Sequence, residues 1–104
     1  MQDKSIGLAV ITGASSGIGS VYADRLAAQG YRLLLVARRL DRLKAVEADV
    51  KRRYAVDATS LVANLESNED LDSLVARMSN EDVSMLVNNA GVGGLGATAS
   101  ASAK

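Results

Sequence analysis

Apolar residues recur along the chain in two patterns: short continuous runs, and stripes spaced at three and four. Residues 7–12 (GLAVIT) form a short apolar run that stops at a glycine-rich turn. A run apolar at successive positions predicts a strand buried on both faces, as in a parallel sheet. Next, over 17–29, Ile18, Val21, Tyr22, Leu26 and Ala27 or Ala28 stand at helical spacing, and Gly30 is a stop signal. Residues 31–37 (YRLLLVA) predict a second buried strand. A second helix is expected over 40–54, with Leu40, Leu43, Val46, Val50 and Tyr54 on one stripe and arginine, lysine and glutamate opposite. The run 59–65 (TSLVANL) predicts a third strand. Leu71, Leu74, Val75 and Met78 mark a third helix from Glu69 to Met78, and 83–88 (VSMLVN) a fourth strand.

The order β-α-β-α-β-α-β places the chain in the α/β class, as a doubly wound parallel sheet with right-handed crossovers and helices on both faces. Residues 1–96 read as one domain, and 97–104 (ATASASAK) as a tail of small residues. That tail has no apolar stripe, so it is expected as loop or frayed end. With about four strands, the fourth would lie at an open edge and the domain would be incomplete.

Composition narrows the chemistry. At 104 residues the chain suits one small domain. Twelve basic and twelve acidic residues balance, so nothing points to nucleic acid or to an acidic membrane surface. Cysteine and histidine are both absent, which removes disulfides, thiolate nucleophiles, histidine-based triads and the usual zinc sites. The polar start Met1-Gln2-Asp3-Lys4-Ser5 is followed by an apolar run too short for a signal peptide or a membrane span. A cytoplasmic protein is the default expectation.

The candidate chemistry lies between the first strand and the first helix, at Thr12-Gly13-Ala14-Ser15-Ser16-Gly17-Ile18-Gly19. A helix N-terminus offers unpaired backbone N–H groups and partial positive charge, which suits a pyrophosphate. Gly13 permits a tight turn, Gly17 a close approach of backbone to phosphate, and Gly19 close packing of helix on strand. Ser15 and Ser16 can add hydroxyl donors. The spacing G-x-x-x-G-x-G differs from the common dinucleotide pattern, and no lysine follows to make a P-loop. Taken alone, these glycines could also be ordinary turn punctuation.

Thr-Gly-x-x-x-Gly-Ile-Gly resembles the first signature of the short-chain dehydrogenase/reductase family. Asn88-Asn89-Ala90-Gly91, after the fourth expected strand, resembles that family's second signature. The resemblance runs to about residue 96 and implies the N-terminal, cofactor-binding half of a Rossmann-like fold. It implies an oxidoreductase that moves a hydride between a nicotinamide dinucleotide and a small carbonyl or alcohol substrate. It also implies that Asn89, Ala90 and Gly91 border the cofactor, and that the full-length parent is a homo-oligomer. Gly91-Val92-Gly93-Gly94-Leu95-Gly96 fits G-x-G-x-x-G but precedes no convincing helix, so it is rejected as the pyrophosphate site.

An acid at the end of the second strand would hold the ribose 2′-hydroxyl of NAD, whereas an arginine accommodates the 2′-phosphate of NADP. Here Arg38 and Arg39 stand at that point, and Asp41 comes later, in the first helical turn. NADP is therefore expected over NAD, with Arg38 as its main contact and Ser15 assisting. A solvated helix start would also carry two arginines, and Ser16 stands where some family members carry a basic residue. Asn64 and Leu65 stand where the family has an aspartate and an aliphatic residue beside the adenine. Asn64 can accept from the adenine amino group or can serve as a strand-end turn residue.

The family's proton-transfer motif is Tyr-x-x-x-Lys. Four residues after Tyr22, Tyr31 and Tyr54 stand Leu26, Leu35 and Ala58, so no tyrosine here fits, and no catalytic serine can be assigned. The catalytic residues are expected downstream of residue 104. The chain by itself is then not expected to turn over substrate. A non-catalytic dinucleotide-binding module, or a truncated remnant, is the alternative.

Overall fold

The computed structural model describes residues 6–14, 17–89 and 99–102. Its elements run β1 (Leu8–Thr12), α1 (Gly17–Gln29), β2 (Arg32–Ala37), α2 (Leu40–Tyr54), β3 (Ala58–Val62), α3 (Asn68–Ser79), β4 (Val83–Asn88) and β5 (Ala99–Ser102). The sheet order is β3-β2-β1-β4-β5. β1 to β4 are mutually parallel, which gives the expected partial Rossmann-like architecture.

Alternation along the central strands separates two apolar layers. Ala9, Ile11, Leu33, Leu35 and Ala37 face one way and pack with α1 and α2 residues such as Ala23, Leu26, Leu43 and Val50. Leu8, Val10, Leu34 and Val36 face the other way and meet Leu74 of α3. The side chains of β1 and most of β2 are buried on both faces, which is why these strands read as continuous apolar runs.

Three elements differ in detail from the sequence pattern. The buried face of α1 is Gly19, Ala23, Leu26 and Ala27, whereas Ile18 and Val21 are exposed at 61% and 51%. Small residues win that face because they bring the helix axis close to the sheet. β3 ends at Val62 rather than Leu65, because Asn64 turns the chain. The tail also departs from the expected loop: Ala99–Ser102 forms β5, antiparallel to β4. The open edge of β4 supplies unpaired backbone groups that a further strand can satisfy. β4 is therefore not the sheet edge.

Candidate functional site

Register fixes where the loops gather. Thr12 pairs with both Val36 and Asn88, and Ala37 pairs with Val62, so β1 to β4 end along one carboxyl edge. From β1 the chain steps outward to β2 and β3, then returns to place β4 on the other side of β1. Such a switch point opens a crevice between the two strand ends, where α/β sheets bind ligands.

The turn into α1 sits in that crevice. Gly13 has φ +67, the left-handed region that favours glycine. The Ala14 N–H donates to the Val36 carbonyl at 3.2 Å, tying the turn to the end of β2. A Cβ on Gly19 would run into the Gly13 carbonyl, so the first helical turn lies directly against the glycine turn. Gly17 is the opposite case: a Cβ there would meet nothing within 4 Å among the described residues. Among the described residues, no packing demand explains glycine at that exposed position. The first turn of α1 carries no acid, so no α1 side chain offsets the positive end of its dipole. Ile18 stands exposed beside Gly17. Ser15 and Ser16 lie outside the described residues.

One buried hydroxyl joins the two strand ends. Thr12 is 3% exposed, and its Oγ1 accepts the Asn89 N–H at 2.9 Å. It donates to Asn88 Oδ1 at 3.0 Å, with the Val87 carbonyl at 3.4 Å. The Asn89 side-chain amide donates to the Gly13 carbonyl at 3.4 Å. Asn88 thus works as a tie between strands, and Asn89 holds the glycine turn from the β4 side. Ala90 and Gly91 lie outside the described residues, as does the 91–96 glycine stretch.

Past β2, Arg38 and Arg39 are both exposed. Arg39 caps α2 and lies 3.6 Å from Asp41, Nε to Oδ1. The Arg42 backbone N–H, and then the Arg39 charge, hold the Asp41 carboxyl below its ordinary range. Among the described residues Arg38 has no such carboxylate partner. Arg38 follows Val36, the acceptor of the Ala14 N–H, by two positions, at the same carboxyl edge.

Asn64 follows β3 at the same edge, where the Ala63 N–H still bonds the Ala37 carbonyl at 2.9 Å. Its Oδ1 accepts the Glu66 N–H at 3.0 Å, and its own N–H donates to Asp70 Oδ2 at 2.7 Å. The strand-end turn role is thus present, with Leu65 inside that turn. Amide oxygen has a second lone pair, so the turn does not exhaust what Asn64 can accept.

The structure brings Gly13, Gly17, Ile18, Gly19, Arg38, Arg39, Asn64, Leu65 and Asn89 to one edge. Sequence reasoning missed two positioning groups there, Thr12 and Asp70. A lone polar residue ending an otherwise apolar strand was the available signal for Thr12. For Asp70 it was Ser67-x-x-Asp70, since Ser67 caps α3 and accepts the Asp70 N–H. Tyr22, Tyr31 and Tyr54 are half-buried against the core under α1 and α2, away from this edge. No helix among the described residues is long and apolar enough to cross a membrane.

Comparison with known proteins agrees with this geometry. The chain is 32% identical to the very-long-chain 3-oxoacyl-CoA reductase of Rattus norvegicus over 84 residues, covering 81% of this chain and 27% of that protein. It is 35% identical over 85 residues to the inactive hydroxysteroid dehydrogenase-like protein 1 of Homo sapiens, covering 81% of this chain and 26% of that one. The chain therefore spans about a quarter of the length of these curated relatives. L-sorbose reductase from Gluconobacter frateurii, solved with NADPH and L-sorbose, superposes with a TM-score of 0.76 at 35% identity, over 88% of this chain and 36% of that one. The short chain dehydrogenase family profile matches residues 7–104. With that match laid over the glycine turn and the Asn88-Asn89 strand end, the chain belongs to the short chain dehydrogenase family.

Proposed function

We propose that the carboxyl edge of this sheet binds NADP(H) and forms the cofactor half of an oxidoreductase acting on a carbonyl or alcohol substrate. The observation that carries the reading is Gly17. It is exposed at the first position of α1, directly after the glycine turn, and among the described residues no neighbour requires its missing side chain. A glycine costs helix stability there, so the vacant space is best accounted for by a ligand that needs close approach to backbone.

The residues fit a dinucleotide. Backbone N–H groups at Gly17, Ile18 and Gly19 would meet the pyrophosphate, with Ser15 and Ser16 adding hydroxyls. Arg38 would take the 2′-phosphate, with Arg39 beside it. Asn64 and Leu65 would border the adenine. Asn89, Ala90 and Gly91 would line the side toward the nicotinamide ribose. When bound, the nicotinamide supplies the hydride chemistry. Thr12 and Asn89 hold the turn in shape before the ligand arrives, which lowers the ordering cost of binding. Solved relatives with NADPH bound support the choice of cofactor.

Cofactor choice is tested by titrating NADPH and NADH against wild type and Arg38→Asp. Wild type should favour NADPH at least tenfold, about 1.4 kcal/mol. Arg38→Asp should erase or reverse that preference. Equal affinities in wild type would overturn the assignment of NADP.

A second reading, a dinucleotide-binding module without catalysis, is favoured by one observation: a relative named as inactive shares 35% identity over this same region. The motifs of this half are thus compatible with either outcome. Dinucleotide binding without turnover by a polypeptide carrying the complete family domain would select the second reading.

A further inference from the structure

α1 and α2 both start at the carboxyl edge, and their outer faces are separated by an open groove of about 480 Å³ lined by Ser20, Val21, Arg25, Ala45 and Val46 among others. Across that groove runs a polar cluster. Asp24 Oδ1 on α1 accepts from the Tyr54 hydroxyl at 2.8 Å and from Arg53 Nη1 at 2.8 Å. Arg53 also reaches Asp49 Oδ2 at 3.2 Å, and its guanidinium stacks 5.2 Å from the centre of the Tyr54 ring.

The position of this brace along α2 matters. Glu47 lies seven residues from Leu40 and seven from Tyr54, and the Ser60 hydroxyl of β3 donates to it at 2.6 Å. At 1.5 Å per residue, each end of α2 is roughly 10 Å from that anchor. The helix is thus pinned to the sheet at its middle and to α1 at its far end. Its near end carries Arg39 and, one residue before, Arg38.

We propose that Asp24, acting through Tyr54 and Arg53, is a positioning residue for cofactor choice: it fixes the spacing between the α1 N-terminus and Arg38. This rests on the NADP(H) reading above. The pyrophosphate contact sits on α1 alone, whereas the 2′-phosphate contact depends on where α2 points. Loosening the brace therefore weakens NADPH more than NADH.

The test titrates NADPH and NADH against wild type, Tyr54→Phe, Asp24→Ala and the double variant, with a thermal melt of each. Tyr54→Phe keeps the ring against the core, so it guards against loss of fold. Each single variant should lower the NADPH:NADH affinity ratio by about threefold or more, and the double variant should be less than additive because both act on one contact. An unchanged ratio, or equal losses of both ligands in step with melting temperature, would make the brace structural only and overturn the proposal. Failure of wild type to bind either dinucleotide would instead remove the reading on which it rests, and the wild-type titration alone reveals that.

Discussion

Gly17 and Gly19 stand two residues apart and are glycine for different reasons. Gly19 has backbone packed where a side chain would go, while Gly17 has open space among the described residues. Their alanine variants should therefore separate folding from binding. Gly19→Ala forces the helix off the glycine turn and should destabilise by about 1–3 kcal/mol. Gly17→Ala should leave stability unchanged or raise it by up to about 1 kcal/mol, since alanine is the better helix former. On the proposed reading it should nevertheless weaken NADPH binding, because the methyl group would enter the space proposed for the pyrophosphate. Thermal melts paired with dinucleotide titration check both. A Gly17→Ala variant that binds as wild type does would show that the space is not used. The sequence pattern already assigned Gly19 to close packing and Gly17 to phosphate approach, and the structure shows the backbone packed against Gly19. Thr12 shows the reverse: it stands first in the signature without a role of its own, and its bonds with Asn88 and Asn89 supply one.

At the scale of elements, the pattern located every helix and every parallel strand among the described residues, and it lost accuracy where tertiary contact overrode local period. On α1 the larger residues Ile18 and Val21 lie outside, while Gly19 lies against the Gly13 carbonyl and Ala23, Leu26 and Ala27 turn inward. The antiparallel β5 carries no apolar signal, so only the vacant edge of β4 could have predicted it. The anchor of α2 gives a test of its own. Glu47 is held below its ordinary value of 4.5, first by the Ser60 hydroxyl and then by Lys51 and Lys44. A depressed folded value means the unfolded chain binds the proton more readily. The stabilisation is thus present above about pH 4.5 and fades as pH falls through the lowered folded value. Glu47→Gln should cost stability at pH 7, and that cost should fade at a strongly acidic pH, below the lowered folded value. Denaturant unfolding at the two pH values checks it. A cost that is equal at both would show that the charge of Glu47 does not matter.

Across the whole molecule, two concavities lie apart from the carboxyl edge: the outer α1–α2 groove, and a cavity of about 300 Å³ at the opposite end of the sheet. The last is lined by Arg32, Lys51, Asp57, Arg77 and Glu81 among others. Charge alone does not choose among them, since each of the two outlying sites mixes acids and bases. Topology and glycine placement choose the carboxyl edge, and both were visible in the sequence as two signatures standing after two apolar runs. The most direct measurement is an amide NMR titration of the ¹⁵N-labelled chain with NADPH. The account predicts perturbations concentrated at Gly13, Gly17, Ile18, Arg38, Asn64 and Asn89, with Asp57 and Glu81 unmoved. Perturbations centred on the α1–α2 groove or on the opposite end of the sheet, or none at saturating NADPH, would contradict it.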